Sequence, residues 1–133
     1  MKIILSIMFL ICLLILTACV QQASITTIEP AKAKELLDNK AELGLFVLNV
    51  HTPYQGKLDK TDAIIEDWQS IAQHKNQLPQ DKNKPILVYC RSGRMSESAA
   101  QQLKDLGYKT IYDLKGGMRA WNTAGLDIID WKD

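Results

Sequence analysis

Residues 86–96 read Ile-Leu-Val-Tyr-Cys-Arg-Ser-Gly-Arg-Met-Ser, an apolar run that passes directly into a polar turn. Four consecutive apolar residues, mostly β-branched or aromatic, are typical of a strand buried on both faces. Apolar residues then recur at helical spacing, at Ala99, Leu103 and Leu106. They predict a helix from Met95 to Leu106, with Gly107 just beyond its end. The segment therefore predicts a strand-loop-helix unit with Cys90 at the carboxyl end of the strand.

The same alternation extends over the rest of the chain. Further strands are predicted at 25–28, 45–50, 63–65 and 110–114, and helices at 30–39, at 67–74 and after Gly116-Gly117. We expect Gly125 to close the domain. Strands alternating with helices over about one hundred residues favour an α/β sandwich around a parallel sheet. In such sheets ligands bind outside the carboxyl ends of the strands, where Cys90 is expected.

Length and charge restrict the kinds of function that the chain can have. A chain of 133 residues has room for one compact core, so one folded domain is expected. The sequence contains 16 basic and 15 acidic residues, which gives a formal net charge of +1. This balance provides no positive field to gather polyanions, which argues against a nucleic-acid partner.

The N-terminus has the pattern of an export signal. Lys2 precedes an apolar run from Ile3 to Leu16, which is short for a membrane span. The following Leu16-Thr17-Ala18-Cys19 resembles the lipobox of bacterial lipoproteins, although a transmembrane anchor that ends by chance in a cysteine is the alternative. We predict a signal peptide over 1–18, lipidation of Cys19, a tether over 19–24 and a folded domain over 25–133. The protein would be exported and held by its lipid at a membrane, on the periplasmic or extracellular face.

The cysteines point to one residue that requires a chemical explanation. Cys12 lies in the predicted leader and Cys19 is the predicted lipidation site, which leaves Cys90 as the free thiol of the domain. Exported proteins usually pair their cysteines, so an unpaired one suggests reactivity. The loop after Cys90 fits this interpretation, because a helix start, Arg91 and Arg94 all favour a thiolate. Backbone N–H groups of residues 92–94 are expected to curl around the sulfur, with Gly93 permitting the tight turn.

Val88 to Ser96 closely resembles the active-site loop of single-domain rhodaneses. The resemblance extends from about Ile25 to Leu126 and includes Leu106-Gly107-Tyr108 and the segment from Gly116 to Trp121. It implies an α/β rhodanese-like three-layer sandwich, with a central, mainly parallel sheet and helices on both faces. It also implies that Cys90 is the catalytic residue. The loop residues that it assigns to substrate binding are Arg91, Ser92, Gly93, Arg94, Met95 and Ser96.

The resemblance implies a sulfurtransferase that works by double displacement. Cys90 would take a sulfane sulfur from a donor such as thiosulfate and pass it to a thiol, a cyanide-like molecule or a protein acceptor. No metal and no organic cofactor are expected.

Two features depart from the family pattern. Met95 stands where many members have an arginine, and Asn49-Val50-His51 stands where many have Asp-Val-Arg, without the Gly-His-Ile element that follows. His51 is expected to be a structural replacement for that arginine rather than a general base. Thr61-Asp62 either contacts the Cys90 loop or caps a turn. The tryptophans at 68, 121 and 131 are expected to pack in the core or at its rim.

Two other functions remain open. A persulfide carrier or protein-binding module at the membrane is favoured by Met95 and the altered upstream loop. A cysteine-dependent phosphatase would need an arginine six residues after its cysteine, and Ser96 occupies that position.

Overall fold

The computed structural model describes residues 1–3 and 21–132. The predicted leader from residue 4 onward and the predicted lipidation site, Cys19, lie outside the described residues. No helix within the described ranges is long and apolar enough to cross a membrane.

The described chain folds into alternating strands and helices. In chain order they are β1 (Ser24–Ile28), α1 (Pro30–Asp38), α2 (Lys40–Leu43), β2 (Phe46–Asn49), β3 (Ala63–Ile64), a 3₁₀ helix (Ile71–Gln77), β4 (Ile86–Tyr89), α3 (Arg94–Asp105), β5 (Thr110–Leu114) and α4 (Gly117–Thr123). Both β4 and β5 have the predicted bounds, and α3 begins one residue before its predicted start. The strand-loop-helix unit around Cys90 is therefore present.

The strands of the described chain form one five-stranded sheet in the order β1-β5-β4-β2-β3. Every pairing in it is parallel, as predicted. Because β4 is the middle strand, its carboxyl end lies at the centre of one edge of the sheet. Cys90 follows that strand directly.

The alternating side chains of β4 enter two separate cores. Ile86 and Val88 pack with residues of α3 and the 3₁₀ helix, whereas Leu87 and Tyr89 pack with residues of α1 and α4. All four side chains are completely buried. Helices thus cover both faces of the sheet, which confirms the predicted three-layer sandwich.

One helix prediction needed correction. The helix predicted at 67–74 is a turn followed by the 3₁₀ helix, and His74 has non-helical dihedral angles (φ −107°, ψ 27°). The side chain of Gln102 explains the difference, because it accepts a hydrogen bond from Ile71 N at 3.1 Å and donates one to Trp68 O at 2.7 Å. The first helix ends as predicted, with Asn39 as its C-cap, and a further helical turn, α2, ends at Leu43 before Gly44, which has a positive φ of 61°.

The described chain continues past Gly125, the last turn predicted from the sequence, and stays in contact with the domain. Residues 126–132, which we call the C-terminal strap, run back over the loop after β2. Ile129 pairs with Lys57 in an antiparallel bridge, and Lys132 N donates to Gln55 O at 3.0 Å. At the other end of the chain, β1 begins at Ser24, so the last residue of the predicted tether is the first residue of the sheet.

Candidate active site

Cys90 lies at the carboxyl end of β4 and is only 1% exposed. The backbone turns sharply at Gly93, whose φ of 100° suits glycine, and α3 begins at the next residue. This turn directs Gly93 N–H at the sulfur, with 3.0 Å between N and Sγ. The sequence predicted that backbone N–H groups of residues 92–94 surround the sulfur. Gly93, the central residue of the three, makes this hydrogen bond.

The loop after Cys90 is held from its other side by the start of α4. Met118 N donates to Cys90 O at 2.9 Å, and Arg119 N donates to Arg91 O at 3.0 Å. Only glycine fits at position 117, because a Cβ there would lie 2.3 Å from Cys90 O. The Gly116-Gly117 pair therefore permits the close approach that fixes the carbonyls of the loop.

A cavity of about 300 Å³ opens beside Cys90. Its lining residues are His51, Cys90, Arg91, Ser92, Arg94, Met95 and Arg119. Five of the predicted site residues line this cavity. Gly93 forms the turn of the loop, and Ser96 lies beneath Cys90. The guanidinium groups give the cavity a positive character suited to an anion.

His51 and Arg119 join the cavity although the sequence did not assign them to the site. Both are brought here by elements that converge on this edge of the sheet. His51 comes just after β2, and Arg119 lies in the first turn of α4. His51 is 7% exposed, and its Nε2 lies 2.6 Å from Gln55 Oε1. A polar residue directly after a buried parallel strand was the available signal for His51.

Ser96 and Asp113 form a buried polar pair beneath Cys90. Ser96 Oγ lies 3.6 Å from Cys90 Sγ and donates to Asp113 Oδ1 at 2.6 Å. Burial raises the pKa of Asp113 to about 6, an effect that the Ser96 hydrogen bond opposes and the charge of Glu97 reinforces. Asp113 was not predicted as a site residue, although it is a carboxylate within a mostly apolar strand.

The remaining candidates have structural roles. Thr61 Oγ1 bonds to Leu58 O and Tyr89 OH, and Asp62 accepts from Val47 N and Lys40, so neither makes a described hydrogen bond to the Cys90 loop. Trp121 is buried in the core that includes α1 and α4, and Trp68 packs against the core on the opposite face of the sheet. Trp131 has a more specific place, because its ring lies 5.9 Å from the Arg91 guanidinium carbon.

Within the described residues, no group of three or more histidine, cysteine, aspartate or glutamate side chains is placed to hold a metal ion. The chemistry of the cavity is that of a thiol, guanidinium groups, an imidazole and backbone N–H donors.

Comparison with known proteins identifies the family. Residues 45–124 match the rhodanese-like domain. Thiosulfate sulfurtransferase GlpE of Coxiella burnetii is 51% identical over 41 residues, which cover 31% of this chain and 38% of that protein, so the match spans less than half of that relative. A sulfurtransferase of Allochromatium vinosum is 31% identical over 88 residues, covering 64% of this chain and 78% of the relative. The solution structure of a polysulfide-sulfur transferase homodimer from Wolinella succinogenes has a TM-score of 0.64 at 25% identity, covering 79% of this chain and 78% of that one. The chain therefore belongs to the rhodanese-like domain family.

Proposed function

We propose that the protein is a sulfurtransferase that moves a sulfane sulfur from an anionic donor such as thiosulfate to a thiophilic acceptor through a Cys90 persulfide. The observation that carries this proposal is the setting of the sulfur. Cys90 Sγ accepts a hydrogen bond from Gly93 N at 3.0 Å beside a cavity lined by guanidinium groups. The relatives named sulfurtransferases support the same chemistry.

In the first half-reaction, the Cys90 thiolate attacks the outer sulfur of thiosulfate. A new sulfur–sulfur bond forms, and the bond within the donor breaks with its electron pair going to the departing sulfite. The charges of Arg91, Arg94 and Arg119 around the cavity favour binding of the doubly negative donor. The product on Cys90 is a persulfide whose terminal sulfur is anionic, so the same positive cavity and the N–H donor stabilise it.

In the second half-reaction, a nucleophilic acceptor attacks the terminal sulfur of the persulfide. The acceptor is a thiol, cyanide or a cysteine of another protein, and Cys90 leaves as the thiolate with the electron pair of the broken sulfur–sulfur bond. Dividing the transfer into two displacements means that donor and acceptor never need to occupy the cavity together.

Mass spectrometry after exposure to thiosulfate tests this proposal. We expect a gain of about 32 Da on the peptide that contains Cys90, reversed by cyanide, because the added sulfur is a removable cap on a reactive thiolate. Peptide mapping separates Cys90 from Cys12 and Cys19, and Cys90→Ser should carry no adduct. An unmodified Cys90 peptide in folded, thiosulfate-treated protein would contradict the proposal.

A persulfide carrier is the second candidate, and Met95 favours it. Its half-buried side chain lines the cavity as an apolar wall where many family members have an arginine. The carrier would form the same adduct on Cys90 but would show no multiple-turnover transfer from thiosulfate to cyanide. A cysteine-dependent phosphatase is less well supported, because the position of its arginine clamp holds Ser96, which is buried and bonded to Asp113.

A further inference from the structure

A continuous hydrogen-bonded chain leads from the reactive sulfur into the interior of the domain. Cys90 Sγ, Ser96 Oγ and Asp113 Oδ1 are separated by 3.6 Å and then 2.6 Å. The three side chains come from the end of β4, the first turn of α3 and the penultimate position of β5. All three are at least nine-tenths buried, so water does not replace these contacts.

The donors and acceptors along this chain fix the direction in which protons can move. Sγ accepts from Gly93 N, so the hydrogen of the thiol remains available for Ser96. Ser96 has one hydroxyl hydrogen and two acceptors in reach, Asp113 Oδ1 at 2.6 Å and Gly93 O at 3.1 Å. The shorter contact to a carboxylate is the stronger one. The thiol therefore donates to Ser96, and Ser96 donates to Asp113.

Asp113 also lines a second cavity, through which a proton can pass to solvent. This cavity of about 480 Å³ is separate from the one beside Cys90 and is open to solvent. Its lining residues are Ile25, Thr27, Arg94, Glu97, Ser98, Gln101 and Asp113. Protons that reach Asp113 can leave here without crossing the cavity that holds the sulfur donor.

We propose that Ser96 and Asp113 form a proton relay that removes the thiol proton of Cys90 and releases it into the second cavity. Ser96 touches the reacting sulfur and is a catalytic residue of the relay. Asp113 acts through Ser96, so it is a positioning residue that also receives the proton. The relay is an addition to the sulfur transfer proposed above and rests on it for its role in turnover.

Each transfer to a neutral acceptor generates one proton in the site. When a thiol or hydrogen cyanide attacks the persulfide, the acceptor keeps the sulfur and its proton goes to the Cys90 thiolate. In the relay, the thiol proton then passes to Ser96 Oγ while the Ser96 proton passes to Asp113 Oδ1. Cys90 returns to the thiolate, Asp113 becomes a neutral acid, and the acid loses its proton to water in the second cavity.

The charged surroundings of Asp113 decide the pH at which the relay operates. Arg94 and Glu97 face its cavity from α3, Cys90 approaches from the end of β4, and the β1 residues Ile25 and Thr27 are uncharged. The pKa of Asp113 is raised to about 6, chiefly by burial. The carboxylate is therefore ready to accept a proton above about pH 6 and is already protonated below it.

Alkylation of Cys90 by iodoacetamide tests the relay without any sulfur chemistry. In the full protein, the alkylation rate measured from about pH 5 to about pH 8 should rise through an inflection near the pKa of Asp113. Asp113→Asn should lose this inflection and should be alkylated at least about tenfold more slowly at neutral pH. Ser96→Ala should show both effects as well. Positioned proton transfer commonly accelerates a reaction by about 100-fold or more. In the transfer assay, kcat and the KM for thiosulfate should fall together, so that kcat/KM for thiosulfate stays unchanged, because the relay acts after the first displacement.

Three control variants separate the relay from general effects. Asp105→Asn removes an exposed carboxylate from the same helix that carries Ser96, and Ser70→Ala removes a serine hydroxyl outside both cavities. Both should follow the wild-type profile. Glu97→Gln should keep the rate at neutral pH but move the inflection to lower pH, because the charge of Glu97 raises the pKa of Asp113. This shift would assign the inflection to Asp113.

The outcomes distinguish the relay from the sulfurtransferase proposal. Alkylation profiles of Asp113→Asn and Ser96→Ala that agree with wild type within about twofold would overturn the relay, even if sulfur transfer proceeds. The expected profiles in a protein that takes up no sulfur would support the relay and refute the sulfurtransferase. If a variant fails to fold, carbon NMR of the wild-type Asp113 carboxyl gives the answer, because alkylating Cys90 should change its titration. An unchanged titration overturns the relay.

Discussion

Asp113 lowers the stability of the folded protein at neutral pH and is the proton acceptor of the proposed relay. Its residue surface is only 5% exposed, and burial raises the pKa of the carboxyl from 3.8 to about 6. The folded protein therefore holds this proton more tightly than the unfolded chain does. The stabilisation that results is fully present below about pH 3.8, and it is lost as the pH rises through about 6.

This linkage predicts how Asp113→Asn changes the stability of the protein. Asparagine can still accept the hydrogen bond from Ser96 but carries no charge at any pH. Between about pH 4 and about pH 8, the unfolding free energy of wild type should fall by about 2 to 3 kcal/mol relative to the variant. Urea denaturation at several pH values measures this difference, with Asp105→Asn as the control for an exposed carboxylate. A difference that does not change with pH would contradict the raised pKa of Asp113.

The residues of the site were predictable in proportion to how local they are in the sequence. Cys90 to Ser96 form one continuous stretch, so a strand pattern followed by a helix pattern was enough to place them together. His51, Asp113 and Arg119 reach the site from other elements. Their positions depend on the order of the strands and on the docking of α4, which residue types and spacing alone do not determine.

At the scale of elements, the contact between α4 and the Cys90 loop sets the shape of the site. Two backbone hydrogen bonds from α4 hold the carbonyls of Cys90 and Arg91, and they form because Gly117 carries no side chain. The Cys90 loop is thus positioned by a helix that is distant in sequence and supplies one side chain, Arg119, to the cavity.

Gly117→Ala tests this contact, with Gly44→Ala as a matched control. Both glycines have a φ near +60°, but a Cβ at Gly44 meets nothing within 4 Å, whereas one at Gly117 meets Cys90 O at 2.3 Å. Each variant should lose about 1 to 2 kcal/mol through backbone strain. Gly117→Ala should lose about 1 to 3 kcal/mol more from the clash and should transfer sulfur more slowly.

Thermal or urea denaturation together with the transfer assay compares these two variants. Equal losses of stability in both, with an unchanged rate of transfer, would mean that α4 does not position the loop.

The elements also show where a local pattern fails. The sequence predicted a helix at 67–74, but the side chain of Gln102 from α3 bonds to the backbone of Trp68 and Ile71 instead. Gln102 lies about thirty positions away in the sequence, so the local pattern of residues 67–74 does not reveal that these hydrogen bonds form. By contrast, β4 was predicted with its observed bounds because burial on both faces leaves an unbroken apolar run.

At the scale of the whole molecule, the C-terminal strap joins the last helix to the loop after β2. The bridge between Lys57 and Ile129, and the packing of Gly56 against Ile129 O, hold the strap in place. The sequence suggested an end at Gly125 because residues 126–132 show neither a strand nor a helix period. The bridge at Ile129 forms with Lys57, which lies in the loop after β2, so the pattern of residues 126–132 alone does not reveal it.

The proposed lipid anchor is also a property of the whole molecule. We propose that Cys19 is acylated after removal of residues 1–18 and that the domain is exported. Bacteria fed a labelled fatty acid should label the wild-type protein and Cys12→Ser, but not Cys19→Ser. The mature wild-type chain should begin at Cys19, whereas Cys19→Ser should keep its leader. An unprocessed, unlabelled wild-type chain would instead indicate a transmembrane anchor.

The parallel direction of β1 places the reactive sulfur at the end of the sheet opposite the one where such an anchor joins. Ser24 begins β1 at one edge of the sheet, and Cys90 follows β4 at the opposite edge. At about 3.3 Å per residue, the strands separate these edges by roughly 17 Å. Residues 19–23 reach at most about 18 Å further, however they are arranged. A tether of that reach is about as long as the sheet, so the anchored domain can turn Cys90 outward to water-borne donors and acceptors while its lipid stays in the bilayer.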